Sequence, residues 1–239
     1  MKVVISQSML FPWAGMLEQM RLADVFVHYD DVQYSKGSFT NRVQVKLPEG
    51  SRWMTVPLRQ HKLGQAIDEA SIQPVAEWRD KHLSMLAASL DGAPHVQEAM
   101  KLAQSIYAQD HESIGQLARA SMTALADYFG LLDGKRVIDV RTLELGGAGS
   151  QRVLDIVKAV GGTTYITGHG ARNYLDHAAF ESAGVAVQYM RYQCKPYPQS
   201  WGDFNPYVTG LDLIANCGLA GLDQLCSQGV DWRSFLAEA

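Results

Sequence analysis

Three sets of side chains in this 239-residue chain could do chemistry. The first is an acidic doublet, Asp30-Asp31, with Gln33 just behind it and Gln7 near the start of the chain. Adjacent carboxylates repel, so one can orient a polar ligand while the other gains proton affinity. The second set is His82 and His169, imidazoles that can exchange a proton near neutral pH. Trp78, Arg79 and His82 fall on one helical turn, where the imidazole could serve as a base or simply pack and hydrogen-bond. The third set is a run of donors, Lys36, Asn41 and Arg42, followed by Trp53 and then by Arg59, His61 and Lys62. Such cations suit a diphosphate, and the plain alternative is a solvated hairpin with ordinary surface charge.

These residues need elements to hold them. Val3, Val4 and Ile5 read as a buried strand that gives way to Gln7 and Ser8. A helix beginning between Pro12 and Gly15 follows, with Met16, Leu17, Met20 and Leu22 on its inner face, and then a second strand over Asp24–Tyr29. That is a βαβ unit, and in open parallel sheets ligands sit beyond the carboxyl ends of the strands. Gln7, Asp30, Asp31 and Gln33 are therefore expected in one pocket. Val43, Val45 and Leu47, a turn at Pro48–Ser51 and a return over Trp53–Leu58 predict a hairpin. Residues 75–131 carry three helical patterns, read as a cap or flank.

From Arg136 the α/β rhythm returns. Val137–Val140 predicts a strand, Arg152–Val160 a helix, Thr163–Ile166 a strand, Arg172–Ser182 a helix, and Val185–Val187 with Tyr189 a further strand. Two loops in this half could meet a phosphate. Gly146–Ser150 offers backbone N–H groups but lacks the ending of a P-loop and the full dinucleotide fingerprint. Thr167-Gly168-His169-Gly170-Ala171-Arg172, with Tyr174 beyond it, places glycines, an imidazole and a guanidinium at one strand end and is the stronger signal; a tight turn that merely needs glycine would look the same. The tail is rich in rings. Tyr192, Tyr197, Trp201, Phe204 and Tyr207, with Gln199 and Asp203 among them, suit stacking on a base or sugar, or a strap over the core. Asp212 is expected as part of a helix cap, and the last segments, around Leu222 and Trp232, as closing helices.

The expected fold class is thus α/β: a doubly wound, mostly parallel Rossmann-like sheet with a β-hairpin insertion and an α-helical middle segment, in a single domain over 1–239. Within it, 1–62 form the first βαβ unit plus hairpin, 75–131 the helical insertion, 136–190 the second βαβαβ unit, and 191–239 the aromatic strap and C-terminal helices. With 47% apolar residues the chain can bury a full core, and a net charge of -4 gives no footprint for nucleic acid. No apolar run approaches the roughly 20 residues that span a bilayer, and the N-terminus lacks a signal pattern, so a soluble cytoplasmic protein without membrane insertion is expected. Cys194, Cys217 and Cys226 show no CxxC spacing and read as structural thiols, and no metal ligand set is assigned.

Beyond these readings, the chain resembles the WbqC-like family over nearly its whole length. The resemblance is carried by Gln7 with Phe11-Pro12 and Gly15, Ala23–Phe26, Tyr29–Gln33, Asn41-Arg42, Trp53–Pro57, Trp78–His82, Gly168 with Tyr174-Leu175, Phe180, Gly184, Tyr197 with Gln199, and Asp212-Leu213 with Asn216 and Gly218. Ser8 departs from it, since the family usually has proline after the glutamine. The resemblance implies work on bacterial surface sugars such as the O-antigen of lipopolysaccharide: transfer of a glycyl or other acyl group to an amino sugar. The opening unit is also similar in layout to nucleotidylyltransferases of the pantothenate synthetase type, in which a His-x-Gly-His turn holds a triphosphate. Here that turn is Pro12-Trp13-Ala14-Gly15-Met16, with the glycine and neither histidine, so the likeness carries the fold and not ATP use.

Together these readings predict a transferase that acylates the amine of a nucleotide-linked sugar. Asp30, Asp31, His82 and His169 are its candidate catalytic residues. Gln7, Gln33, Lys36, Asn41, Arg42, Trp53, Gly168, Gly170, Arg172, Tyr174, Tyr197 and Gln199 are the candidate binding residues. The expected partners are a nucleotide sugar and an acyl carrier or acyl-CoA donor. The sequence leaves the cofactor unknown and neither requires nor excludes ATP with magnesium. An ATP-dependent amide ligase and a non-catalytic nucleotide-sugar binding protein are the alternatives.

Overall fold

Strands β1 (Lys2–Ser6), β2 (Val25–His28) and β6 (Thr164–Thr167) form the middle of a parallel sheet, because Val, Ile, Phe and Tyr at successive positions are buried on both of its faces. The computed structural model describes residues 1–60, 62–193 and 195–238; His61 and Cys194, read above as a donor and a structural thiol, lie outside the described residues. With β5 (Arg136–Asp139), β7 (Ala186–Arg191) and β8 (Gln228–Asp231) the sheet has six strands in the order β5-β2-β1-β6-β7-β8. Only β8 is antiparallel to its neighbour.

Residues alternate between two cores. Val4, Phe26 and Ile166 pack with helices α1 (Ala14–Leu22), α4 (Ile114–Tyr128) and α7 (Gly210–Cys217). Val3, Val25, Tyr165 and Val187 pack with α5 (Gly149–Ala159), α6 (His177–Ser182) and α8 (Trp232–Ala237) on the other face. The fold is therefore the doubly covered α/β sheet that the sequence predicts. Its order carries a consequence for function: β1 and β6 are neighbours, yet the chain leaving β1 crosses one face and the chain leaving β6 the other, which opens a crevice beyond their carboxyl ends.

The hairpin stands apart as a two-stranded sheet of β3 (Arg42–Leu47) and β4 (Gly50–Thr55). Its return strand starts three residues earlier than Trp53, because Pro48-Glu49 alone make the turn and Gly50 takes the positive φ of 116° that the tight reversal needs. It stops before Pro57, which has no N–H for a ladder. Helices α2 (Val75–Ser89) and α3 (Val96–Tyr107) join α4 as the expected helical segment.

Several expectations are corrected. Residues 169–173 form a single 3-10 turn, and α6 starts only at His177, where the Asp176 carboxylate accepts the Ala179 N–H at 3.0 Å. Helix α5 begins three residues before Arg152. Strand β8 lies between the closing helices expected around Leu222 and Trp232, where no strand is expected, since Gln228-Gly-Val-Asp has one apolar residue in four and gives almost no periodic signal. Asp212 does not cap α7: the Thr209 hydroxyl accepts the Leu211 N–H, and the Asp212 carboxylate is used inside the core.

Candidate functional site

The crevice between β1 and β6 is a pocket of about 560 Å³, within the range of small-molecule sites. Gln7 at the end of β1 and Gly168 at the end of β6 form its floor, and Met16 and Gln19 of α1 form one wall. Gly147-Ala148-Gly149 at the start of α5 line it too, as do Gly170 and Tyr174 beyond β6. Gly168 lets the Gln19 side chain lie close: a Cβ there would stand 2.8 Å from its amide nitrogen, which would have to swing aside. Both glycine loops of the sequence, the weaker as well as the stronger, come to this one place.

Helix α5 points its N-terminus at the pocket. Its cap residue, Ala148, has no side chain to accept the free N–H groups, and its first turn holds no acid. Instead it carries Arg152, a cation at the end where the helix dipole already favours anions. Arg152 is buried, lies 5.1 Å from the Tyr29 ring, and donates to Asp31 Oδ2 at 2.5 Å and to the Leu145 carbonyl at 2.9 Å. Its Nε has no partner among the described residues, nor does Asp31 Oδ1, although both are buried. The pocket thus joins a helix end with no capping side chain and an Asp31-paired guanidinium to the uncharged polar side chains of Gln7, Gln19 and Tyr174.

Asp30 turns the other way. It is fully buried and accepts from the Ser8 N–H (2.8 Å), the Ser8 hydroxyl (2.6 Å) and Arg119 (2.9 Å). Arg119 also binds Asp68 at 3.1 Å and Asp139 at 2.6 Å, and Arg141 joins the last two. Burial raises the proton affinity of Asp139, but hydrogen bonds from Arg141 and Arg119 outweigh it and hold that carboxyl well below the usual range, whereas burial pushes Asp68 up. His28 sits 2.8 Å from the Ser8 hydroxyl, with a pKa lowered to about 3 by burial and by Arg119, so it is neutral. Serine, histidine and aspartate in contact suggest a nucleophile on paper; here the hydroxyl is wholly buried and donates to the carboxylate, and the trio ties the end of β1 to the end of β2. The departure at Ser8 is part of this lock, since proline there would supply neither the N–H nor the hydroxyl.

The single rim expected for all polar candidates is not what the structure shows. Gln7, Gly168, Gly170 and Tyr174 line the pocket, and Asp31 reaches it through Arg152. Gln33 is exposed, bridged through its backbone to Ala66, and Lys36 is exposed. Asn41 is buried between the Tyr34 hydroxyl and the Val56 carbonyl. Arg42 bonds the Gly37 carbonyl and lies 4.1 Å over Trp53. His82 uses both ring nitrogens, on the Tyr107 hydroxyl at 3.0 Å and the Thr55 carbonyl at 3.1 Å; burial lowers its pKa to about 4, and it backs a separate 260 Å³ hollow beside Trp53 and Trp78. His169 is exposed with its ring edge on Phe235, and Arg172 is exposed; neither lines the pocket. Tyr197 is buried, donating to Asp212 at 2.9 Å, and Gln199 accepts from Lys46 at 3.1 Å. Burial pushes Asp212 up to about 6 and lowers Lys46. Trp201 spends its N–H on the carbonyls of Ala88 and Ser89. The strap's buried rings are therefore structural.

Arg152, Gln19 and Tyr29 were missed as site residues. The signal for Arg152 was present: an arginine one turn into a helix that opens on Gly-Ala-Gly without any acid. Among the described residues no group of three or more His, Cys, Asp or Glu side chains could hold a metal, and the two carboxylates of the doublet face different arginines. Nor is any helix of the described residues long and apolar enough to cross a membrane.

A family model described as the WbqC-like protein family matches residues 7–224. The uncharacterized protein Rv1507c of Mycobacterium tuberculosis (strain ATCC 25618 / H37Rv) is 31% identical over 227 residues, covering 94% of this chain and 97% of that protein. No solved structure matches significantly.

Proposed function

The chain belongs to the WbqC-like protein family, and from that premise we propose that it transfers a glycyl or other acyl group to the amine of a nucleotide-linked amino sugar. The observation that carries this reading is the pocket at the β1/β6 crevice, whose lining combines an uncapped helix end and Arg152 with the uncharged polar side chains of Gln7, Gln19 and Tyr174. A diphosphate fits the first half: free N–H groups at Gly149 and beyond, with a guanidinium beside them, are charge-assisted donors at fixed positions. A sugar, with its hydroxyls, fits Gln7, Gln19 and Tyr174.

The chemistry follows from Asp31. Arg152 holds one oxygen and leaves the other, Oδ1, as a buried acceptor with no partner. As the sugar amine attacks the carbonyl carbon of an acyl thioester, the C–N bond forms and the nitrogen proton passes through a solvent molecule to Asp31, which stands behind Arg152 and not on the lining. The oxyanion is stabilised by backbone N–H groups of the Gly168–Gly170 turn, and collapse breaks the C–S bond, with the proton leaving on the thiol. Asp30 supports this from behind through Ser8 and Arg119, as a positioning residue. The test incubates the protein with uridine-diphosphate glucosamine and a glycyl thioester and follows a mass gain of one glycyl residue. Glycylation with free glycine and ATP, with pyrophosphate release, would assign the ligase reaction instead.

One observation favours a non-catalytic reading: the lining contains no histidine and no carboxylate among the described residues. Tight binding of the nucleotide sugar with no product from any donor would establish that reading and remove the transferase.

A further inference from the structure

The two arginines that meet the acidic doublet are engaged to different degrees. Arg119 spends Nε and Nη2 on Asp30, at 3.3 and 2.9 Å, and Nη1 on Asp139 at 2.6 Å. Among the described residues, Arg152 makes one bond to a carboxylate, from Nη2 to Asp31 Oδ2, where a fully formed arginine–carboxylate fork would make two in parallel. The second bond of that fork is missing from both sides, since Arg152 Nε and Asp31 Oδ1 are each buried without a partner among the described residues. Buried polar atoms are nearly always paired, and one left open on a charged group is costly. Asp30 is thus locked in place and Asp31 is half-held.

What could complete the guanidinium lies on the pocket side. Arg152 lines the pocket and sits one turn into α5, whose first N–H groups have no capping side chain. An anion seated there would be drawn by the helix end and by the guanidinium together. Arg152 also has a surface to turn on. Its guanidinium carbon lies 5.1 Å from the centre of the Tyr29 ring, and a ring face attracts a cation without fixing its rotation. Asp31 in turn can be let go. Its side chain is 25% exposed, against 0% for Asp30, so water can hydrate the released carboxylate, whereas Asp30 without its arginine would be a stranded ion.

We propose that Asp31 is a placeholder for the anion: an incoming diphosphate takes Arg152 away from it, engages the guanidinium through Nε as well as Nη2, and leaves the carboxylate uncovered. This rests on the reading of the pocket as a nucleotide-sugar site and adds the regulation of that site. In the empty pocket the guanidinium covers the carboxylate that amide formation needs for the amine proton. Seating the nucleotide sugar uncovers it, so the ligand that brings the amine also frees the group that receives its proton. A thioester arriving at the empty protein finds Asp31 still paired, which keeps the acyl group from being spent on water.

The experiment titrates the intact protein by calorimetry with pyrophosphate, the bare anion, and with uridine diphosphate, and repeats both on Asp31→Asn and Arg152→Met. Asp31→Asn is expected to bind both probes about fivefold more tightly than wild type, because the competing ion pair is gone. Arg152→Met is expected to bind both about tenfold more weakly. Circular dichroism checks the fold, and Asp31→Ala or Arg152→Lys stands in for a variant that is unfolded. Crystals grown with pyrophosphate are expected to show Arg152 on the anion and out of hydrogen-bond reach of Asp31. Unchanged or weaker binding in Asp31→Asn would overturn the exchange, since the carboxylate would then be holding Arg152 in place for the ligand. So would a guanidinium still on Asp31 beside a bound anion. If neither probe binds wild type or Asp31→Asn, the exchange falls together with the pocket reading. If pyrophosphate behaves as expected and uridine diphosphate binds no better than pyrophosphate, the exchange stands and the nucleotide reading alone falls.

Discussion

Arg119→Met should be the most damaging single change near the site without touching the pocket itself. Arg119 bridges Asp30, Asp68 and Asp139, whose side chains are 0%, 7% and 21% exposed. With Arg141 the cluster sets three carboxylates against two guanidinium groups; removing Arg119 leaves three against one. An ion left buried without its partner costs about 3–5 kcal/mol, and Met fills the volume of the stem, so little of the loss is packing. In a domain of this size that is a fall in Tm of roughly 6–20 °C. Adding Asp30→Asn to Arg119→Met removes the most buried of the stranded charges, and the double variant should recover at least about 1 kcal/mol. In the wild-type background the same Asp30→Asn should instead destabilise, because it gives up charge-assisted bonds from Ser8 and Arg119.

The pH dependence has a definite sign. Asp139 is held below its unfolded value, so its contribution is present above about pH 4 and is lost as pH falls further. Asp68, pushed up by burial, works the other way and softens the slope. The gap between wild type and Arg119→Met should therefore narrow below about pH 4. Urea unfolding at pH 7 and pH 3.5 measures both claims. A loss under about 1 kcal/mol at pH 7, or an Asp30→Asn effect equal in the two backgrounds, would refute the account of this cluster as a charge-balanced lock.

Three further outcomes are expected. Arg152→Met should weaken uridine diphosphate binding by about tenfold to a hundredfold, the worth of a charge-assisted bond, and should also lower stability by about 1.5–3 kcal/mol through the lost Asp31 and Leu145 bonds; calorimetry and urea unfolding on the same samples decide it. Asp212→Asn should remove a stability component of wild type that declines as pH rises from about 4 to about 6, because the buried carboxyl holds its proton in the folded state over that window and not in the unfolded one; the difference between the two unfolding curves against pH shows it, and a flat difference would contradict it. His82→Ala should cost about 2 kcal/mol, through the Tyr107 and Thr55 bonds and the ring's packing on Trp78, and leave nucleotide binding unchanged; a lost product signal in a stably folded variant would return His82 to the mechanism.

How much of this was legible in the sequence depended on whether the signal was local. The strands at Val3–Ile5 and Val25–His28 announce themselves because burial on both faces demands continuous apolar runs. The place of the pocket followed as well, since Gln7 and Gly168 come just after the two parallel strands that this order sets side by side. What failed was the assignment of partners. Asp30 and Asp31 are neighbours in the chain, yet successive side chains leave a strand end in opposite directions, so one meets Arg119 and the other Arg152. Both arginines lie far along the chain, on helices whose facing no spacing rule gives. His82 and Tyr197 looked chemical because they are polar residues in aromatic company, and that is also how a buried imidazole or phenol finds its hydrogen bond.

The two acidic neighbours thus divide the work of one strand end. Asp30 is neutralised deep in the fold and fixes the backbone through Ser8, which sets where Gln7 stands. Asp31, one residue later, shares its arginine with the pocket and keeps an oxygen free. Exchanging the two roles would need the strand end to rotate by half a turn, which the hydrogen bonds from the Ser8 N–H and hydroxyl to Asp30 forbid. Asp31→Asn should for that reason abolish amide formation while stability changes by less than it does in Asp30→Asn. The reverse ranking, measured by product mass and urea unfolding side by side, would move the proton acceptor from Asp31 to the buried cluster.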